Sequence, residues 1–261
     1  MKREISIKEI QEYDYGMLLE IKRICEAHNL RYYLAYGTAL GCVRHQGFIP
    51  WDYDADVVLP IKSYLEFYKI AQKELDPKYE LVSGYNDDFP EYFMRMKLAN
   101  QIDAEVYVDL FFFIGTPDNA SEQYKLYRKL LRMQSLRYYR FNNKVAGDGI
   151  GKKIARRIVS RIIKLVPLSA LNRRFFELST EHDCDDTRYV YCPFGRYDLR
   201  KPRFFPKYIF GEGTEMQFCN SVFTIPFKYD CYLTEYYEDY SKYPPKEDIE
   251  RDMAKTTFID D

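Results

Sequence analysis

The stretch Tyr36–Pro60, YGTALGCVRHQGFIPWDYDADVVLP, decides how the chain is read. It opens on a small-residue turn, Gly37-Thr38, and after a Gly-Phe-Ile-Pro-Trp link reaches the acidic run Asp52-Tyr53-Asp54-Ala55-Asp56. Val57-Val58-Leu59-Pro60 follows directly and has the composition of a buried strand. Strand side chains alternate between faces, so Asp54 and Asp56 project from one side. Two carboxylates sharing a face repel each other unless a cation neutralises them. A hard divalent ion does so through oxygen ligands and usually brings a substrate phosphate with it, which points to Mg2+, with Mn2+ as the alternative. An EF-hand calcium loop fails on position: counting from Asp52, the sixth residue is Val57 rather than Gly and the twelfth is Ser63 rather than Glu. A solvated acidic turn stays open, although the upstream Gly-Thr pair, which lets backbone amides approach a phosphate closely, weighs against it.

Gly-Thr, a spacer and Asp-x-Asp entering an apolar strand is the order used by nucleotidyltransferase-fold enzymes. The full string closely resembles the signature of the LicD family, phosphocholine transferases related to the fukutin proteins. The match is ungapped, and its most evident acidic change is Tyr53, where the family usually has Asp; Asp52, Asp54 and Asp56 remain. Val108-Asp109-Leu110-Phe111 and the end segment YDCYLTEYYEDYSKYPP, residues 229–245, are similar to further family segments. Glu238 stands where the family commonly has Gly, and Phe111-Phe112-Phe113-Ile114-Gly115 lacks the family's Phe-Pro and following Asp. The resemblance covers most of the chain, weakly in the middle. It implies an α+β fold, a nucleotidyltransferase-like mixed β-sheet flanked by helices.

Composition bounds the rest. With 261 residues, 46% of them hydrophobic, the chain can bury one substantial core, and a single domain over 1–261 is expected. Its parts are a catalytic core over about 1–118, a basic helical segment over about 119–185 and a C-terminal segment over about 186–261. No apolar run approaches a membrane span, and MKREISIKEI has no apolar h-region, so no signal peptide is expected and the cytoplasm is the expected location. Six cysteines without a CxxC or regular framework read as free thiols. The net charge of −1 hides an asymmetry: Ser121–Thr180 holds fifteen Lys or Arg against three Asp or Glu. A chain polarised in this way has one face suited to something anionic.

Along the chain, Ser6-Ile7-Lys8-Glu9 is a capping-box pattern, and Ile7, Ile10, Met17, Ile21 and Ile24 carry a helix to about Asn29. A strand over Tyr32–Tyr36, a short helix over about Ala39–Arg44, a strand over Asp54–Leu59 and a helix over about Ser63–Leu75 follow. Strands are expected over Tyr79–Ser83, Tyr92–Leu98 and Glu105–Phe113. In the second of these, Arg95 and Lys97 alternate with apolar residues and face one way, toward either a phosphate site or solvent. In the third, Asp109 interrupts an apolar run, and a carboxylate there is costly unless it is paired or metal-bound. It is the natural third carboxylate beside Asp54 and Asp56. Residues 119–182 read as two or three helices, the clearest over about Gly151–Val166. Its stripe of Ile154, Ile158, Ile162 and Leu165 lies among Lys152, Lys153, Arg156, Arg157, Arg161 and Lys164. The plainer expectation is a stripe packed on the core with a functional basic charge; the alternative is peripheral contact with an anionic membrane at its inner face. Short strands or turns lead to Pro226, and a last helix is expected over Tyr229–Tyr240.

The resemblance then specifies chemistry. It implies that Asp54, Asp56 and Asp109 hold the metal and act catalytically, with Asp109 able to take the proton of the attacking hydroxyl. Gly37 and Thr38 would cradle phosphate, Arg44 would add a cation, and Asp52 and Lys97 complete the expected substrate-binding set. The implied donor is CDP-choline, the acceptor a sugar hydroxyl of a cell-surface glycan or glycolipid precursor (teichoic acid, lipopolysaccharide or capsule), and the leaving group CMP. Alternatives are a related CDP-alcohol carrying ribitol or glycerol phosphate, or a true nucleotidyltransferase that leaves pyrophosphate. From another class, the basic segment with Tyr138, Tyr139 and Phe141 could bind RNA, which would leave the acidic motif unexplained; no nucleic acid is expected.

Overall fold

The computed structural model describes residues 2–84, 89–100, 106–142, 150–194, 202–254 and 257–260. In chain order its elements are β1 (Lys2–Ile5), α1 (Ile7–Ala27), β2 (Tyr33–Leu34), α2 (Tyr36–His45), β3 (Ala55–Pro60), α3 (Ile61–Glu74), β4 (Tyr79–Ser83), β5 (Met94–Leu98) and β6 (Tyr107–Thr116). Then come α4 (Ala120–Phe141), α5 (Ile150–Ile163), α6 (Leu168–Ser179), β7 (Tyr189–Tyr191), β8 (Phe204–Pro206), β9 (Thr214–Phe218), β10 (Ser221–Ile225), α7 (Tyr229–Tyr237), α8 (Lys246–Met253) and β11 (Thr257–Asp260). This is an α+β architecture built on a mixed sheet. The chain forms two compact units, one of residues 1–81, 95–112 and 206–261, the other of 82–94 and 113–205.

The first unit carries the strand order β2-β3-β6-β5-β4. β2 pairs antiparallel with β3, Tyr33 opposite Val58 and Leu34 opposite Val57. α1 begins as its capping box dictates: the Ser6 hydroxyl accepts from the Glu9 N–H and the Glu9 carboxylate accepts from the Ser6 N–H. Its buried stripe includes Ile10, Met17, Ile21 and Ile24. Gly37-Thr38 is not a turn ahead of a helix, as expected, but the first turn of α2, which starts three residues earlier than its apolar residues suggest. β9 and β10 form a hairpin, and β1 pairs antiparallel with β11, Arg3 opposite Ile259. Neither α8 nor β11 was expected; both lie in a charged tail with little apolar periodicity. The expected strand start at Glu105 lies outside the described residues.

In the second unit α4, α5 and α6 pack together and the end of β6 pairs antiparallel with β7, Ile114 opposite Tyr191. Arg137 of α4 is fully buried, donating to Asn172 and to the Phe89 and Pro90 carbonyls, with its guanidinium over the Tyr92 ring. That web satisfies a charge which could not otherwise be buried. The expected core packing of the α5 stripe is corrected here. Ile154, Ile158, Ile162 and Leu165 are exposed, Leu165 by 84%. α5 instead turns Ser160 and Ile163 inward, and Arg140 of α4 donates to the Ile163 and Val166 carbonyls at its end. The side chains of Lys152, Lys153 and Arg156 lie outside the described residues. The six cysteines are free, four of them buried. Among the described residues no helix is long and apolar enough to cross a membrane.

Candidate active site

The sheet order explains why three distant carboxylates meet. β3 and β6 are neighbours, so Asp56 in β3, Asp54 just before it and Asp109 in β6 share one region of the first unit. Ala55 and Val57 are buried while Asp54 and Asp56 are half-buried, the alternation read from the sequence. Thr38 anchors this strand: its buried hydroxyl accepts from the Asp56 N–H at 2.8 Å, while the Asp56 carbonyl accepts from the Ala35 N–H at 2.9 Å. The structure therefore gives Thr38 a positioning role, distinct from the phosphate contact expected of it. Gly37 has a steric one. A Cβ there would lie 2.6 Å from an Asp52 carboxylate oxygen, so any larger residue would have to displace the Asp52 side chain.

Two residues that reading along the chain did not assign to the site complete the cluster. Arg95 of β5 holds Asp109 with a two-pronged fork, Nε to Oδ1 at 2.7 Å and Nη2 to Oδ2 at 3.0 Å, and its guanidinium lies 3.5 Å from the Tyr107 ring centroid. Its alternation in β5 was visible, but its partner was not. Asp14 of α1 is fully buried, and neither of its carboxylate oxygens has a hydrogen-bond partner. The signal for Asp14 was a carboxylate on the apolar stripe of α1, between Ile10 and Met17. Gln11, one turn earlier, donates to the Ile49 and Asp52 carbonyls and ties α1 to the acidic run.

The electrostatics are those of a cluster with too much negative charge. Burial, and then Asp54, Asp52 and Asp109, push the Asp14 carboxyl well above the usual range. Asp52 is raised by burial and by Asp54, with which it shares a side-chain hydrogen bond. Asp56 is raised by burial and then by Asp54, Asp109 and Asp52, against the opposing pull of Arg95. Among the described residues no three His, Cys, Asp or Glu side chains stand as a ready metal-holding group, and Asp109 faces Arg95. In donor chemistry the cluster nevertheless fits a hard divalent cation: every donor is a carboxylate oxygen, and the buried oxygens of Asp14 lack any hydrogen-bond donor.

The remaining expected contributors have protein partners of their own. Lys97 ion-pairs with Glu80 of β4 at 2.6 Å. Arg44 donates to the Tyr240 and Lys242 carbonyls and lies over the Tyr243 ring, holding the C-terminal segment against α2. His45, Trp51 and Tyr243 pack edge to face beside it.

Residues 29–143, which include α2, β3, β5 and β6, match the LicD/FKTN/FKRP nucleotidyltransferase domain. The chain thus carries a LicD-type nucleotidyltransferase domain. With that domain the chain reads as an enzyme, a transferase. It is 25% identical over 98% of its length, and 99% of the relative's, to the lipopolysaccharide cholinephosphotransferase LicD of Haemophilus influenzae. Shorter likenesses reach uncharacterized proteins of Rickettsia typhi, 34% identical over 22% of this chain and 18% of the relative, and Rickettsia prowazekii, 40% identical over 16% of each.

Proposed function

We propose that this LicD-type enzyme transfers phosphocholine from CDP-choline to a sugar hydroxyl of a lipopolysaccharide-type glycan precursor and releases CMP. The observation that carries the reading is the Asp54-Asp56-Asp109 cluster, set on neighbouring strands in a chain similar over its whole length to a cholinephosphotransferase. In the reaction a new bond forms between the acceptor oxygen and the choline-bearing phosphorus, and that phosphorus loses its bond to the oxygen bridging it to CMP. A divalent ion, when bound, supplies positive charge to the pyrophosphate and the departing phosphate. Asp54 and Asp56 would hold it, and Asp109, on the neighbouring strand, could join them. The guanidinium fork engages both Asp109 oxygens, so we assign Asp109 to orientation and ligation rather than to general-base work. Asp52, whose carboxyl burial and the neighbouring Asp54 hold well above the usual range, is the acceptor the cluster offers for the hydroxyl proton.

The test is product analysis with CDP-choline, CDP-ribitol and CDP-glycerol in turn, with lipopolysaccharide acceptor and with Mg2+ or EDTA. Acceptor-dependent CMP from CDP-choline, lost with EDTA and in Asp54→Asn, is the expected result. Pyrophosphate released from a nucleoside triphosphate would replace the reading with a nucleotidyltransferase, and CMP from another donor alone would change the headgroup.

A second part of the proposal is that α5 lies on an anionic membrane surface where such an acceptor is held. Ile154, Ile158 and Ile162 repeat every four residues and are each more than half exposed, with Arg157 and Arg161 along the flank and Lys164 just beyond the helix. An apolar stripe with a cationic border suits the headgroup boundary. Three cations near such a surface add about 3 kcal/mol. Flotation with anionic vesicles should carry the protein up, and Ile158→Glu should abolish this; equal recovery with neutral vesicles would end the idea.

A further inference from the structure

The rings around the start of α2 form a site with its own chemistry. Tyr36 takes a left-handed backbone conformation, φ 45°, which is uncommon for a bulky side chain and is kept only where the surroundings enforce it. Its N–H donates to the hydroxyl of the buried Tyr232, and its ring is directed among Phe111, Tyr232 and Tyr236. Phe111 stands 86° to Tyr36 with centroids 5.6 Å apart, and Tyr236 stands 81° to it at 5.0 Å. Rings at right angles make a corner, not a stack. Tyr36, Phe111 and Tyr236 are only half-buried, so part of that corner reaches solvent.

The corner adjoins the acidic cluster along the chain in two ways. Phe111 follows Asp109 by two residues on one face of β6, and Tyr36 precedes Gly37, which packs against Asp52. Electron-rich ring faces next to excess negative charge attract a cation that needs no hydrogen bonds. A polyol headgroup would instead require directed donors and acceptors, which ring faces do not supply.

We infer that Tyr36, Phe111 and Tyr236, backed by Tyr232, form the subsite for a quaternary ammonium headgroup of the donor. The inference rests on the phosphocholine reading and adds the residues that select the headgroup. The experiment is calorimetric binding, with Mg2+, of CDP-choline and of its neutral isostere, in which a quaternary carbon replaces the nitrogen. The folded wild type should prefer the cationic donor by roughly 10-fold. Tyr236→Ala should remove that preference while retaining the isostere, and Tyr236→Phe, which keeps the ring face, should restore it. Phe111→Leu, which keeps volume without a ring, is the second probe and should also lose the preference. Loss of both donors to the same extent in the Ala and Leu variants, or no loss in either, would overturn the subsite while leaving the transferase reading intact. Failure of wild type to bind CDP-choline, with another CDP-alcohol bound, would sink both together.

Discussion

Asp14 is the buried residue at which folding and the proposed metal site meet. Its carboxyl is enclosed without a donor, and like Asp52 and Asp56 it is held well above the ordinary carboxylate range. Raised folded-state values have a definite sign. Below about pH 4 both folded and unfolded chains hold these protons, and no penalty arises. As pH rises beyond that, the unfolded chain releases protons that the fold retains, so stability falls. Thermal melts in EDTA between pH 5 and pH 8 should therefore show the protein less stable at the higher pH. Asp14→Asn should raise the melting temperature at pH 8 and reduce that slope, and should shrink the further stabilisation that Mg2+ gives without any substrate. A variant no more stable than wild type at pH 8 would mean that Asp14 is satisfied by a partner.

At the scale of the element, α2 is the device that sets the site. Its first turn brings Tyr36, Gly37 and Thr38 to the acidic run, where they supply a ring, clearance and a strand anchor in turn. Gly37→Ala separates clearance from stability. Alanine suits a helix better than glycine by about 0.5–1 kcal/mol, so the fold should persist or gain slightly. The new methyl meets the Asp52 carboxylate, and a displacement on the order of 1 Å at a reacting centre can cost roughly 100-fold in rate. Steady-state kinetics beside a denaturant melt should show a large fall in turnover with little change in stability. Full activity would show that Asp52 can move without consequence. The exposed stripe of α5 makes the complementary point. Its period was plain in the sequence, yet the helix packs through Ser160 and Ile163 instead.

For the whole molecule, the closing pair of strands is the feature that reading along the chain missed. β1 and β11 join residues 2–5 to 257–260, burying Ile5, Thr257 and Ile259. Fully burying one isoleucine stabilises by about 1.5–3 kcal/mol, and in a chain of this size each kilocalorie moves the melting temperature by about 2–4 °C. Ending the chain at Ala254 should lower the melting temperature by several degrees, on the order of 5 °C, with the helical signal largely retained. An unchanged melting temperature would show that the pair contributes nothing to the fold.

The sequence by itself determined the LicD-type domain, the α+β class, most helices and strands, and the order of the carboxylates. These are local matters of period, capping and motif, written in residues that are neighbours along the chain. Asp54 and Asp56 were legible because a strand's alternation places them, and Asp109 because a lone carboxylate in an apolar run demands a reason. Only the tertiary structure decided that Arg95 faces Asp109, that Lys97 turns to Glu80, that Asp14 joins the acids, and that Tyr36, Phe111 and Tyr236 make one corner. Those pairings span 14 to 200 positions of sequence. No local propensity encodes them: they follow from which strands are neighbours and which helix covers them, and that is settled by burial over the whole chain.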